Sequence, residues 1–105
     1  MKVQIQNVNI RRIMETAVAE NAIIIDVRDR SEFRRGHIPM AVNAPLSDIQ
    51  RGNVNFPRGR TLIFYCESGV NSMTAARIMA ERGYRVYNAV GGIRQYNKPL
   101  TMSRQ

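Results

Sequence analysis

The sequence predicts an α/β domain built on a central, mostly parallel five-stranded sheet flanked by helices. Three features of the chain predict it. Short apolar segments that read as buried strands alternate with stretches of helical periodicity, the order expected of a largely parallel sheet. Turn-forming residues separate them. The length, 105 residues, suits one domain and is too short for two independent cores.

Taken in order, Val3–Ile5 is the first expected strand. A helix is then predicted from about Asn9 to Asn21, with Ile10, Ile13, Met14 and Ala17 recurring on one face. Ala22–Val27 reads as a second strand. A short helix follows, with Ser31 as its cap, Phe33 turned inward and Gly36 as its stop. A brief strand at Ala41–Asn43 and a turn of helix at Ser47–Arg51 precede a loop over 52–59, rich in Gly, Asn and Pro. Thr61–Cys66 is an apolar strand, and a helix is expected from Ser72 to about Arg82, where Ala75, Ala76, Ile78, Met79 and Ala80 join high helix propensity to an apolar face. Gly83 can close that helix, and Arg85–Asn88 is the fifth strand. Residues 1–96 read as one domain and 97–105, polar and containing Pro99, as a flexible tail.

Composition narrows the function classes. An apolar fraction of 44% supports a packed core, which Phe, Tyr, Met and aliphatic side chains must fill because Trp is absent. Met1-Lys2 is followed by polar residues and no long apolar run occurs, so neither an export signal nor a membrane span is expected and a cytoplasmic location is the simplest reading. Lys and Arg number 16 against 8 acidic residues, and nearly all the cations are Arg. The charges are scattered without interleaved aromatics, which fits a solvated surface or an acidic protein partner better than a nucleic-acid footprint.

Cys66 is the lone cysteine, so it forms no internal disulfide. It ends an expected central strand and is followed by Glu67, Ser68, Gly69, Val70, Asn71 and Ser72, then by the alanine-rich helix. Ligands of open α/β sheets bind beyond the carboxyl ends of the strands. The free amides of the helix's first turn and of the loop at Gly69 would converge there on the sulfur, favour negative charge and lower the thiol pKa. Position alone leaves two readings open, a reactive thiolate and an inert buried strand residue.

The stretch Cys66 to Ser72 resembles the active loop of rhodanese domains, which commonly reads Cys-Arg-Ser-Gly-Asn-Arg-Ser; the match holds at Cys66, Ser68, Gly69 and Ser72. Further matches follow the family's order: Ile25-Asp-Val-Arg28 with Glu32-Phe33, Gly36-His-Ile-Pro39 with Ala41 and Asn43, and Tyr87-Asn88 leading to Gly91-Gly-Ile93. The resemblance covers the chain from about Val3 to Tyr96 and implies a rhodanese-like three-layer fold. It implies a sulfurtransferase in which Cys66 takes a sulfane sulfur from thiosulfate or a persulfide donor and hands it, as a persulfide, to a thiol or cyanide acceptor. Residues Glu67, Ser68, Gly69, Val70, Asn71 and Ser72 are then the substrate-binding loop, with Ser72 expected chiefly as a helix cap, and neither a metal nor an organic cofactor is required. The family's fold also serves as a non-catalytic interaction or regulatory module and as a persulfide carrier in sulfur relays, which are the alternative readings.

The chain departs from the family's pattern at three places. Glu67 and Asn71 stand where many relatives carry Arg, so the loop has lost cations and gained a carboxylate that repels a dianion unless it turns outward. Met40 stands where Gly usually follows Gly-His-Ile-Pro, so a positive φ there would strain it and alter the turn. Cysteine-dependent phosphatases of related architecture need an Arg at the sixth position after Cys to clamp phosphoryl oxygens; Ser72 stands there, which argues against that chemistry. Asp26, Arg28 and Glu32 read as an ion pair tying the second strand to the next helix, and His37 as a hydrogen-bonded structural residue, not a general base.

Overall fold

In the computed structural model, residues 3–103 are described; Met1, Lys2, Arg104 and Gln105 lie outside them. The strands are β1 (Ile5–Asn9), β2 (Ala22–Asp26), β3 (Val42–Asn43), β4 (Thr61–Tyr65) and β5 (Val86–Val90). The α-helices are α1 (Ile13–Glu20), α2 (Arg30–Arg35), α3 (Leu46–Gln50) and α4 (Val70–Glu81), with single 3-10 turns at Ile10–Arg12 and Ile93–Gln95. All five strands pair in parallel in the order β1-β5-β4-β2-β3, so β4 is central.

Strand β4 is buried along its whole length, and its side chains alternate between two cores. Leu62 and Phe64 point to the face covered by α3 and α4, where they meet Ile25, Ile49, Ala75, Ala76, Met79 and Val86. Ile63 and Tyr65 point to the opposite face, against Ile10, Ile13 and Ala17 of the first helical segment and Ile24, Ile38 and Ala89. Helices on both faces explain why this strand is apolar throughout instead of alternating. The small Ala75 and Ala76, both fully buried, let α4 lie close on β4 and β5. Among the described residues no helix is long and apolar enough to cross a membrane.

Several boundaries differ from expectation for identifiable reasons. The first strand runs over Ile5–Asn9, later than Val3–Ile5, because it is an edge strand paired only to β5 and can carry the polar Gln6, Asn7 and Asn9. Asn9 then caps the first helical turn by accepting from the Arg11 amide at 2.9 Å, and Asn21 ends α1 in the left-handed region at φ 50°. Ser31 is not a cap: α2 begins at Arg30 with Asp29 in the cap position, and Ser31 lies exposed within the helix. Phe33 stacks on His37 with ring centroids 3.7 Å apart, while His37 Nδ1 bonds the Phe33 carbonyl at 2.7 Å.

Met40 keeps the left-handed conformation of a glycine, at φ 73°, and the Ala41 amide closes the turn on the Ile38 carbonyl at 3.1 Å. Met40 thus itself adopts the positive φ and takes the strain of it. The segment expected to trail loosely from Asn97 turns back on the domain: His37 and Thr101 exchange backbone hydrogen bonds of 2.8 and 2.9 Å, and the Ser103 amide reaches the Arg34 carbonyl. This supplies partners to the buried backbone of His37.

Asp26, wholly buried, receives a forked ion pair from Arg28, whose Nη2 lies 2.8 Å from Oδ2 and also donates to the Gly36 carbonyl at 2.7 Å. Arg28 thus ties the end of β2 to the end of α2, with Glu32 acting only through its charge. Burial, then the nearby Asp26 carboxylate, pushes the Tyr65 phenol well above its ordinary pKa, so it stays neutral and accepts from the Ile38 amide at 3.0 Å.

Candidate active site

Beyond Tyr65 the chain leaves the sheet at Cys66 and curls through Glu67–Gly69 into α4. Gly69 precedes the helix at φ 104°, a conformation for which an L side chain is ill suited. The helix starts at Val70, two residues before the expected Ser72. Ser72 is therefore not the cap but the third helical residue, and its unpaired first-turn amide faces the sulfur.

Cys66 Sγ, on a residue only 3% exposed, accepts from the Gly69 amide at 3.0 Å and the Ser72 amide at 3.3 Å. The thiol in turn donates to Ser72 Oγ at 3.3 Å. Ser72 Oγ donates to Asn88 Oδ1 at 2.6 Å, and Asn88 Nδ2 donates to the Gly69 carbonyl at 3.2 Å, closing a ring of bonds around the sulfur. Burial pushes the thiol pKa up, but hydrogen bonds from the Ser72 hydroxyl and from the amides of Ser72, Gly69 and Ser68 outweigh it, and the net direction is down.

A second support comes from the turn after β5. The Ile93 and Arg94 amides donate to the carbonyls of Cys66 and Glu67 at 2.9 and 3.2 Å. Gly92 packs so closely that a Cβ on it would lie 2.2 Å from the Glu67 oxygen and 2.6 Å from the Ser68 nitrogen. The sequence reading did not count Asn88, Gly92, Ile93 or Arg94 as parts of the site. The detectable signals were the Gly91-Gly92 pair and a polar Asn88 amid Val86, Tyr87 and Ala89, since a polar residue inside an apolar strand needs a partner.

The sulfur lies at the base of an open cleft of about 540 Å³. Of the expected loop residues, Cys66, Glu67, Ser68, Val70 and Asn71 line it, whereas Gly69 and Ser72 contact the sulfur from beneath. The facing wall carries Arg28, Asp29 and Glu32. Arg28, the one cation among these lining residues, is committed to Asp26. Glu67 Oε2 lies 3.5 Å from Arg94 Nε, at the exposed rim. A larger hollow, about 670 Å³, opens near the amino ends of β1 and β5 around Gln6, Tyr84 and Arg85 and is lined by no thiol.

Comparison with known proteins agrees with this architecture. The sequence model of the family described as Rhodanese-like domain matches residues 10–99. The chain is 35% identical over 78 residues to a protein named sulfurtransferase from Allochromatium vinosum, covering 73% of each. It is 31% identical over 88 residues to the tRNA sulfurtransferase of Desulfurococcus amylolyticus, a match that takes in 84% of this chain but only 17% of that much longer protein. The crystal structure of a rhodanese-related protein from Thermoplasma volcanium superimposes with a TM-score of 0.82 at 21% identity, over 93% of this chain and 99% of that one, which shows a common fold. With a sheet, a cysteine loop and a sequence match over most of its length in agreement, the chain belongs to the rhodanese-like domain family.

Proposed function

We propose that this chain is a sulfurtransferase that carries sulfane sulfur as a persulfide on Cys66. The observation that carries the reading is the convergence of the Gly69 and Ser72 amides on one sulfur, with the Ser72 hydroxyl within hydrogen-bond reach of it, in a setting that lowers the thiol pKa. Sulfurtransferase-named relatives support sulfur transfer as the family's chemistry.

In the first half-reaction the Cys66 thiolate attacks the outer sulfur of the donor. The donor's S–S bond breaks, its electron pair leaves with the departing group, and Cys66 becomes a persulfide. In the second, a thiolate or cyanide acceptor attacks the terminal sulfur and the bond to Sγ breaks. The electron pair returns to Sγ, where the cradle's donors meet the re-formed thiolate. Loop amides pre-aimed at a sulfur anion need no rearrangement at either step.

The cleft also bears on the donor. Asp29, Glu32 and Glu67 line it and no uncommitted cation offsets them at its lining, which disfavours a dianion such as thiosulfate and favours a sulfane sulfur held by a neutral or protein-bound thiol. The test is intact-mass measurement after exposure to thiosulfate and, separately, to a low-molecular persulfide. The expected result is a gain of one sulfur atom, removed by cyanide or thiol and absent in Cys66→Ala. Failure of every donor to load Cys66 overturns the proposal and favours a non-catalytic binding role.

A further inference from the structure

Asn88 does not touch the sulfur, yet its amide joins the two arms that do. Its Oδ1 accepts from Ser72 at 2.6 Å and its Nδ2 donates to the carbonyl of Gly69 at 3.2 Å. Parallel pairing sets Asn88 opposite Phe64, on the face covered by α4, where it is 3% exposed and shut off from solvent. The Ser72 hydroxyl has one proton and two acceptors in reach: Asn88 Oδ1 and, 3.3 Å away, Cys66 Sγ. While Cys66 is a thiol there is no conflict, because its own S–H supplies the bond to Oγ. Once that proton leaves, Sγ can accept a further hydrogen bond beside those from the Gly69 and Ser72 amides. The hydroxyl can serve the sulfur only by turning away from Asn88, whose buried oxygen then loses its partner.

We propose that Asn88 is a positioning residue that competes with Cys66 for the single Ser72 proton, making the Ser72 hydroxyl a two-position switch between the strand and the sulfur. In a persulfide, Sγ is bonded to the outer sulfur and carries no charge, so the hydroxyl rests on Asn88. When an acceptor removes the outer sulfur, the electron pair stays on Sγ and the hydroxyl turns to it. Asn88 therefore favours the resting thiol and the loaded persulfide over the free thiolate.

The charged groups facing the sulfur do not take this role. Arg28 is held by Asp26, and Asp29, Glu32 and Glu67 line the cleft without bonding Sγ. Helix α3 brings only the uncharged Leu46, Ser47 and Gln50 to the cleft, and α4 brings Val70 and Asn71.

The place of the switch in the cycle rests on the sulfur-transfer reading, but its test reads the thiol itself. The Cys66 pKa is measured from the pH dependence of alkylation by iodoacetamide in the parent, Asn88→Ala, Ser72→Ala and the double variant. Asn88→Ala is expected to lower the pKa by about one unit, because the hydroxyl no longer leaves an orphaned oxygen when it turns. In the Ser72→Ala background the same substitution is expected to lose this downward shift and keep only the effect of freeing the Gly69 carbonyl. An upward shift, no shift in either background, or equal shifts in both overturn the proposal. Asn88→Ser, too short to hold the Ser72 hydroxyl, provides the same reading if the alanine variant does not fold. Loss of sulfur loading with the coupling intact would sink the transfer reading and leave the switch standing.

Discussion

The Glu67 carboxylate and the Arg94 guanidinium meet 3.5 Å apart at the rim of the cleft, each from one of the two segments that hold the Cys66 loop. Arg94 thus supplies, from the turn after β5, a cation that the loop itself lacks. The pair is exposed, so its effect is on incoming charge and not on stability. Removing one charge about 6 Å from a dianion is worth about 1.4 kcal/mol in a water-like dielectric, roughly tenfold in rate. Glu67→Gln is accordingly expected to raise kcat/KM for thiosulfate by up to about tenfold at low salt, and Arg94→Ala to lower it. Both effects should shrink at higher ionic strength and vanish for an uncharged sulfane-sulfur donor. Unchanged thiosulfate kinetics in both variants would remove the carboxylate from the donor's field.

The depressed Cys66 pKa also links stability to pH. Between the folded value and the unfolded value of about 8.5, the native chain binds fewer protons than the unfolded one, so stability rises with pH across that window. The contribution is fully present above the unfolded value and is lost as pH falls through the folded one. Urea midpoints measured from about pH 5 to about pH 9 are expected to show this rise in the parent and a flatter profile in Cys66→Ala. Identical slopes in the two proteins would mean that the cradle does not prefer the thiolate.

Much of the fold was legible because local signals and tertiary packing agree. The apolar run at Thr61–Tyr65 is a strand covered on both faces, and Asn9 and Asn21 bound the first helical segment by capping chemistry visible in the sequence. The edge strand β1 was misplaced because its polar residues are tolerated only where one side has no neighbouring strand, which is a tertiary fact. At the site, Cys66 and its loop stood out as a contiguous motif. Asn88, 16 residues beyond Ser72, and Arg94, 27 beyond Glu67, reach the site only through the pairing of β5 with β4, which no local pattern encodes.

Gly92 tests how tightly that second segment braces the loop. Its φ of 64° with ψ of −177° is a backbone region kept essentially for glycine, and a Cβ there would collide with the Glu67 carbonyl. Gly92→Ala is expected to cost on the order of 3 kcal/mol in urea unfolding and to displace the loop amides from Cys66. The Cys66 pKa should rise in the folded fraction, and sulfur loading should fall with it. A stable Gly92→Ala protein with an unaltered thiol would show that the loop holds its form without the brace.

Met40 offers the opposite experiment, a substitution that should stabilise. It sits at φ 73° after Pro39, in a turn closed by the Ala41 amide, and its residue is 82% exposed. Almost no packing is therefore lost on truncation. Holding an L residue in the left-handed region costs about 1–2 kcal/mol, and glycine returns about 0.5–1 kcal/mol of that through its greater freedom when unfolded. Met40→Gly is expected to gain the difference, about 0.5–1 kcal/mol, seen as a higher urea midpoint with an unchanged slope. Met40→Ala, which keeps the Cβ and so the strain, should gain nothing. Met40 does not line the cleft at Cys66, so sulfur loading should be the same in all three proteins. Equal midpoints for the glycine and alanine variants would mean that the turn relaxes out of the left-handed region in solution.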